Sequence, residues 1–269
     1  MAYILLKWFI PQPFRTIPMN FKTKSILVLA TAALLGTTAM AQTAAPASSL
    51  SFNVGVVSDY RFRSVAQTSF KPALQAGVDF AHASGFYVGA WGSNVSWIKD
   101  YVGASEGTLE VDLYGGYKGE ITSGLNFDVG VITYQYPGNT ADKVLVNANT
   151  TEVYGALTFG IVTVKYSQST GNFIANPNSS GSAYFEAAAA FDLGNGFSLT
   201  PHVGRQTIPN QGGNGDYTDF SLTLGKDFGN GLSASLAAYT TDAKDVFYKV
   251  GTFDNLGKNT VTVGVKYTF

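Results

Sequence analysis

Residues 259–269 read NTVTVGVKYTF and alternate between apolar and polar side chains up to the last position. Val261, Val263, Val265, Tyr267 and Phe269 fall on one face of an extended chain, and the residues between them fall on the other. A period of two predicts a β-strand with one apolar face and one polar face. The fold depends on what the apolar face contacts.

The same alternation recurs from Leu50 onward and predicts about 12 strands, without a sustained helical stripe. For example, Leu109, Val111 and Leu113 oppose Glu110 and Asp112. The predicted strands lie near residues 50–63, 71–83, 86–97, 107–118, 124–136, 149–159, 161–169, 182–193, 196–206, 216–228, 231–241 and 259–269.

The connections between the predicted strands differ in length. Short turns rich in glycine and asparagine, such as residues 194–196 and 229–231, alternate with longer polar links. This asymmetry is typical of a transmembrane, antiparallel, up-and-down β-barrel, an all-β fold with both chain ends on the short-turn side. A soluble sandwich or propeller also has evenly spaced strands, but it does not explain the asymmetry. In a barrel, the last strand must pair with the first, because lipid cannot satisfy an open edge.

Residues 1–41 are interpreted as a leader and a cleaved signal peptide. A basic segment beginning at Met19 precedes a short apolar segment at 25–36, and Ala39 and Ala41 form a cleavage pattern that leaves Gln42 as the new N-terminus. The apolar segment is shorter than the roughly 20 residues of a membrane anchor. We therefore expect translation to start at Met19 and residues 42–269 to form one barrel domain.

Composition excludes several classes of function. The chain has no cysteine, which removes disulfides and thiolate metal sites, and its net charge of −1 gives no basic field for nucleic acid. Without residues 1–41, 13 basic residues face 18 acidic ones. His82 and His202 are the only histidines and match no metal motif, so neither a metal nor a cofactor is expected.

Charged side chains of the strands are expected inside the barrel, because a lipid-facing Arg or Lys costs about 2–4 kcal/mol at mid-depth. Their field could filter solutes, or their ion pairs could brace a narrow barrel; the sequence leaves both open. The predicted lumen residues are Asp59, Arg61, Arg63, Gln75, Asp79, Glu110, Asp112, Asn126, Asp128, Glu152, Lys165, Glu186, His202 and Lys266.

The segment SDYRFR, residues 58–63, places Asp59, Arg61 and Arg63 on one face of the first predicted strand. Two arginines beside a carboxylate could bind an anionic solute. Alternatively, the three form a ladder paired with acids of the neighbouring strand.

Catalysis is a competing class of function, since some barrels carry a lipase site. Neither histidine lies in a motif with a nucleophilic serine, and the sequence has no G-x-S-x-G elbow. We therefore expect a protein that is not an enzyme. A non-conducting structural or surface-interaction barrel that acts through its external loops remains the alternative to a channel.

Several blocks of the chain resemble the Gcw_chp family of proteobacterial proteins, also labelled TorF-family porins. They are SFNVGVVSDYRFRSVAQT (51–68), PALQAGVDFAHASGFYVGAWGSNVSW (72–97), LEVDLYGGYKGE (109–120), DVGVITYQYPG (128–138) and TEVYGALTFG (151–160). One departure is Ser64, where the family is expected to carry glycine.

The resemblance implies a barrel in the outer membrane of a Gram-negative bacterium, exported by its signal peptide and surrounded by lipid. It also implies that Tyr267 and Phe269 resemble the C-terminal signal read by the barrel-assembly machinery. The expected function is passive diffusion of small hydrophilic solutes through a charged lumen.

Overall fold

A computed structural model describes residues 48–269, so the predicted leader and the cleavage site at Ala39, Ala41 and Gln42 lie outside the described residues. The strands are β1 Ser49–Val57, β2 Arg61–Phe62, β3 Val65–Ala66, β4 Ala73–Ala81, β5 Phe86–Asn94, β6 Leu109–Thr122, β7 Leu125–Gln135, β8 Thr150–Phe159, β9 Val162–Ser169, β10 Ala183–Ala189, β11 Phe191–Gly194, β12 Phe197–Thr207, β13 Tyr217–Gly229, β14 Leu232–Thr241 and β15 Thr260–Thr268. Short helical segments are α1 Trp97–Asp100, α2 Asp245–Tyr248 and a 3₁₀ turn at Ala141–Lys143. None of the helices within residues 48–269 has the length and apolar character needed to cross a membrane.

The strands other than β2 and β3 form one closed antiparallel wall. Within the described residues this wall has twelve positions, because β10 and β11 together make one strand interrupted at Ala190. The predicted all-β barrel of about 12 strands is therefore confirmed.

The barrel closes where the last strand meets the first. β15 pairs with β1 in antiparallel register, with Tyr267 opposite Val54 and Val265 opposite Val56. Phe269 extends the seam, since its N–H donates to the carbonyl of Phe52 at 2.9 Å and its own carbonyl accepts from Phe52 at 2.8 Å. This pairing confirms the prediction that the last strand pairs with the first.

Alternation along each strand separates an outer apolar face from an inner polar one. On β15, Val263 is 53% exposed and points outward, whereas its neighbour Thr262 is 3% exposed and points inward. Such an apolar outer face is the face that lipid solvates in a membrane barrel.

Aromatic side chains ring the outer face near the short turns. Some contact each other, with ring centroids 4.8 Å apart for Phe86 and Tyr117 and 5.8 Å apart for Phe52 and Phe269. Such a ring is typical of a membrane–water interface. Its members are Phe52, Phe80, Phe86, Tyr117, Phe127, Phe159, Phe191, Phe197, Phe228, Tyr267 and Phe269.

Short and long connections alternate around the wall, as predicted. The five short turns between described strands lie at one end, at residues 82–85, 123–124, 160–161, 195–196 and 230–231. The six long loops lie at the other end: L1 (58–72), L2 (95–108), L3 (136–149), L4 (170–182), L5 (208–216) and L6 (242–259).

The prediction of a first strand at 50–63 is wrong at its end. β1 stops at Val57, and L1 turns inward to form the small hairpin of β2 and β3. Arg63 and Ser64 form its two-residue turn with left-handed φ angles of 48° and 64°. A turn of this type needs positive φ at both positions, which explains why a glycine suits position 64.

The two faces can be tested at the middle of β13, where Leu222 is 47% exposed outside and Thr223 is half-buried inside. We expect Leu222→Arg to lower the free energy of unfolding from lipid by about 2–4 kcal/mol, because it places a charge in hydrocarbon. Thr223→Arg directs its guanidinium to the lumen and should cost far less. Urea unfolding in lipid vesicles measures both, and equal losses would contradict the assigned faces.

Candidate functional site: the lumen and its crossing loop

L1 crosses the lumen and contacts opposite sides of the wall. Tyr60 donates its hydroxyl to Glu110 on β6 at 3.0 Å, and Ser64 donates to Asp219 on β13 at 2.7 Å. β6 and β13 are six positions apart around the twelve-position wall of the described chain, which is half of its circumference. L1 therefore spans the diameter of the barrel at the long-loop end.

Arg63, at the tip of L1, forms an ion pair with a carboxylate of the wall. Its Nη2 lies 2.6 Å from Oε2 of Glu152 and its Nη1 lies 3.1 Å from Oε1, so the pair is bidentate. Nη1 also donates to Gln206 on β12 at 2.8 Å. The guanidinium lies over the rings of Phe62 and Tyr184, at 4.7 Å and 4.4 Å from their centroids. Such a planar, charge-assisted arrangement fixes both position and orientation.

The ion pair stabilises the charged form of Arg63. Burial alone would lower the pKa of Arg63, but the Glu152 carboxylate outweighs burial and holds the pKa of Arg63 above its ordinary value. The Glu152 side chain is 0% exposed and that of Arg63 is 7% exposed. Loss of either charge would leave its partner buried without compensation, which is costly.

Asp59 and Arg61 pair with each other rather than with a neighbouring strand. The Nε of Arg61 donates to Oδ2 of Asp59 at 2.6 Å, and its Nη1 donates to the carbonyl oxygens of Ser64 at 3.1 Å and of Leu256 in L6 at 2.9 Å. The predicted ladder on one face of a long first strand is therefore wrong, because β1 ends before these residues.

Apolar and aromatic side chains fill the space around L1. Tyr60 packs edge-on against Trp91 with ring centroids 5.3 Å apart, and Phe62 packs against Tyr134 at 5.2 Å. This cluster also includes buried residues of L2, L3, L4 and L5. The long-loop end is thus a packed layer, which holds L1 in a defined position.

The lumen between this layer and the short turns contains carboxylates bound by tyrosines. Tyr114 donates to Asp79, and Tyr87 donates to Asp128 and lies in hydrogen-bond contact with the hydroxyl of Tyr154. Both carboxylates are half-buried on the inner face. A phenol hydroxyl donates a hydrogen bond and so orders the carboxylate that accepts it.

His202 lies between two carboxylates on the same inner face. Its Nε2 is 3.1 Å from Glu186, and its Nδ1 is 3.6 Å from Asp219. In the described part of the chain, no group of three or more His, Cys, Asp or Glu side chains has an arrangement that could hold a metal ion.

The predicted lumen residues divide into two groups. Half-buried on the inner face are Gln75, Asp79, Asn126, Asp128, Glu186, His202 and Lys266. Buried in or around L1 are Asp59, Arg61, Arg63, Glu110, Asp112, Glu152 and Lys165. Their role as a solute pathway stays a prediction.

Contact residues of L1 that were not predicted include Ser64, Gln206 and Asp219. Alternation along β13 places Asp219 on the inner face beside the outward Phe220, so period two could have found it. The contacts of Ser64 and Gln206 depend on the inward turn of L1, which strand periodicity does not encode.

The inner surface carries more acids than bases. Eight carboxylates of the described chain lie on the inner face or on L1: Asp59, Asp79, Glu110, Asp112, Asp128, Glu152, Glu186 and Asp219. Three more, Glu120, Asp192 and Asp227, lie at the short-turn rim, which brings the total to eleven. The Arg and Lys side chains of the same surface are Arg61, Arg63, Lys71, Lys118, Lys165 and Lys266.

The sequence matches a family profile over residues 41–269, and that family is described as bacterial proteins of unknown function. The chain belongs to the Gcw_chp family. No curated protein matches this sequence.

Solved structures of porins share the fold of this Gcw_chp protein. A KdgM porin superposes with a TM-score of 0.53 and 8% identity, over 81% of this chain and 99% of the porin. A KdgM porin in complex with disordered oligogalacturonate gives a TM-score of 0.52 and 8% identity, over 82% of this chain and 99% of the other. A NanC porin gives 0.51 and 10% identity, over 81% and 99%. At these identities the likeness establishes a shared fold.

The Arg63–Glu152 pair is tested by Glu152→Gln, which keeps the shape of the side chain and removes its charge. We expect L1 to leave its buried position more often, since breaking a buried ion pair costs about 3–5 kcal/mol. Hydrogen–deuterium exchange of the L1 amides should become faster. Glu106→Gln, on an exposed side chain of L2, is the matched control and should leave L1 exchange unchanged. L1 protection that survives Glu152→Gln would show that the pair does not hold the loop.

Proposed function

We propose that this protein is a porin-like channel through which small hydrophilic solutes diffuse passively, without a catalytic step. Support comes from the closed barrel with its apolar outer face and charged inner face. The observation that carries the proposal is the inner surface itself, where charged side chains and tyrosine hydroxyls line the space between the short turns and L1. A polar interior of this kind accommodates water and solutes.

L1 forms the constriction of the proposed channel. It crosses the lumen at the long-loop end, and Arg63 attaches its tip to β8 and β12. The size of the solutes that pass therefore depends on the space beside L1, or on its displacement. This arrangement also gives the alternative a specific basis, because a packed L1 layer that never opens would make a non-conducting barrel.

The proposed location is the outer membrane of a Gram-negative bacterium, as for TorF-family porins. The aromatic ring near the short turns fits a membrane interface. Export by a signal peptide and assembly by the barrel-assembly machinery, with Tyr267 and Phe269 as its signal, belong to the same proposal. The outward position of both side chains, 47% and 65% exposed, is compatible with such a signal.

The ligand named for the KdgM complex does not carry over to this chain. Oligogalacturonate is an acidic polymer, and the inner surface described above has eleven carboxylates against six Arg and Lys side chains. Like charges repel in a narrow, low-dielectric passage. The proposed solutes are therefore small and not polyanionic.

Conductance of residues 42–269 in a planar bilayer tests the proposal. We expect discrete channels of low conductance, and we expect Arg63→Ala to raise the conductance because L1 loses its attachment to Glu152. Arg205→Ala is the control, since Arg205 lies at the outer surface with its side chain 48% exposed. If the wild type, Arg63→Ala and Arg205→Ala all insert and pass no current, the channel is refuted. That result would favour a barrel acting through its loops.

A further inference from the structure

We infer that the proposed channel prefers small cations to anions; this inference rests on the proposed function and names its substrate class. The positions of the charged side chains support this preference more than the net charge of the chain does. In the described chain, the external loops L1 to L6 contribute few unbalanced charges, whereas the inner face and the short-turn rim hold the excess of carboxylates. A charge that lies along the passage acts on a permeating ion directly.

The arginines of L1 contribute little positive field to the lumen. Arg61 lies against Asp59 at 2.6 Å, and Arg63 lies against Glu152 at 2.6 Å, so each positive charge has a carboxylate in contact. Both pairs are almost fully buried. At the distance of a passing solute, each pair acts as a dipole rather than as a net charge.

Tyrosine hydroxyls position two carboxylates of the wider lumen. Asp79 and Asp128 accept hydrogen bonds from the neutral hydroxyls of Tyr114 and Tyr87. A hydrogen bond to the charged form stabilises a carboxylate without neutralising it. The tyrosines therefore hold two carboxylates on the inner face, in positions that are half-buried and open to the lumen.

Carboxylates also surround the short-turn entrance. Glu120, Asp192 and Asp227 each accept a hydrogen bond from a backbone N–H of their own turn, at 3.0, 2.8 and 2.8 Å. These bonds keep all three side chains at the rim. Lys226 is also near this rim, but it lies on the outer face over the ring of Phe197, at 4.3 Å from the centroid. An entrance of this kind concentrates cations and repels anions.

The test is the reversal potential of residues 42–269 in a planar bilayer under a KCl gradient. We expect the sign that reports K⁺ permeating faster than Cl⁻. We expect the preference to weaken at about 1 M salt, where the screening length falls to roughly 3 Å. Asp79→Asn combined with Asp128→Asn keeps both hydrogen-bond acceptors and removes two inner charges, so the permeability ratio should move toward one.

Glu106→Gln combined with Asp142→Asn is the matched control, because it removes the same charge from exposed side chains of L2 and L3. This control should keep the wild-type ratio. A wild-type channel that prefers Cl⁻ or has a ratio of one would overturn the inference, as would an equal shift in the two double variants. These results leave the channel itself intact, whereas a silent wild-type barrel overturns the proposed function and the inference together.

Discussion

Closure of the sheet is the constraint on which the rest of this structure depends. Lipid offers no partner for an unpaired N–H or carbonyl group, so a membrane sheet cannot end in an open edge. The pairing of β15 with β1 removes that edge, and the mutual hydrogen bonds of Phe52 and Phe269 extend it to the short-turn end. Once the wall is closed, every strand has one face toward lipid and one toward the lumen. The charged residues of the strands take the second face, except Arg205 and Lys226, which lie on the outer face near strand ends.

A closed twelve-position wall encloses more space than its own side chains fill, and in the described chain L1 occupies part of it. The loop leaves the wall beside the closing seam, where the N–H of Ser58 donates to Val263 at 2.9 Å. It then reaches β6 through Tyr60 and β13 through Ser64. The charged residues of the inner face divide into two groups as a result: those near L1 contact the loop, and those nearer the short turns face the lumen.

The sequence predicted the wall because period two is a local property that each strand carries independently. Val263 and Thr262 take the faces that alternation assigns to them, and the alternation of short and long connections gives the correct strand count. The course of L1 could not be predicted in this way. Asp59, Arg61 and Arg63 continue the alternation of β1, yet the chain leaves the wall after Val57. The left-handed turn at Arg63 and Ser64 was not predicted, although it lies where the family is expected to carry glycine. The partners Glu152 and Asp219 are 89 and 155 residues away in the chain.

L1 spans the lumen with its tip against β13, and cross-linking tests this placement most directly. The chain has no cysteine, so pairs can be introduced without background. Ser64→Cys with Asp219→Cys places two thiols at side chains whose oxygens are 2.7 Å apart. Ser64→Cys with Ser93→Cys pairs the tip of L1, which lies against β13, with a thiol on the inner face of β5. β5 is five positions away from β13 around the wall. A short bifunctional thiol reagent should join the first pair in the folded barrel and leave the second unjoined. Failure to join the first pair, or equal joining of both, would contradict the crossing of L1.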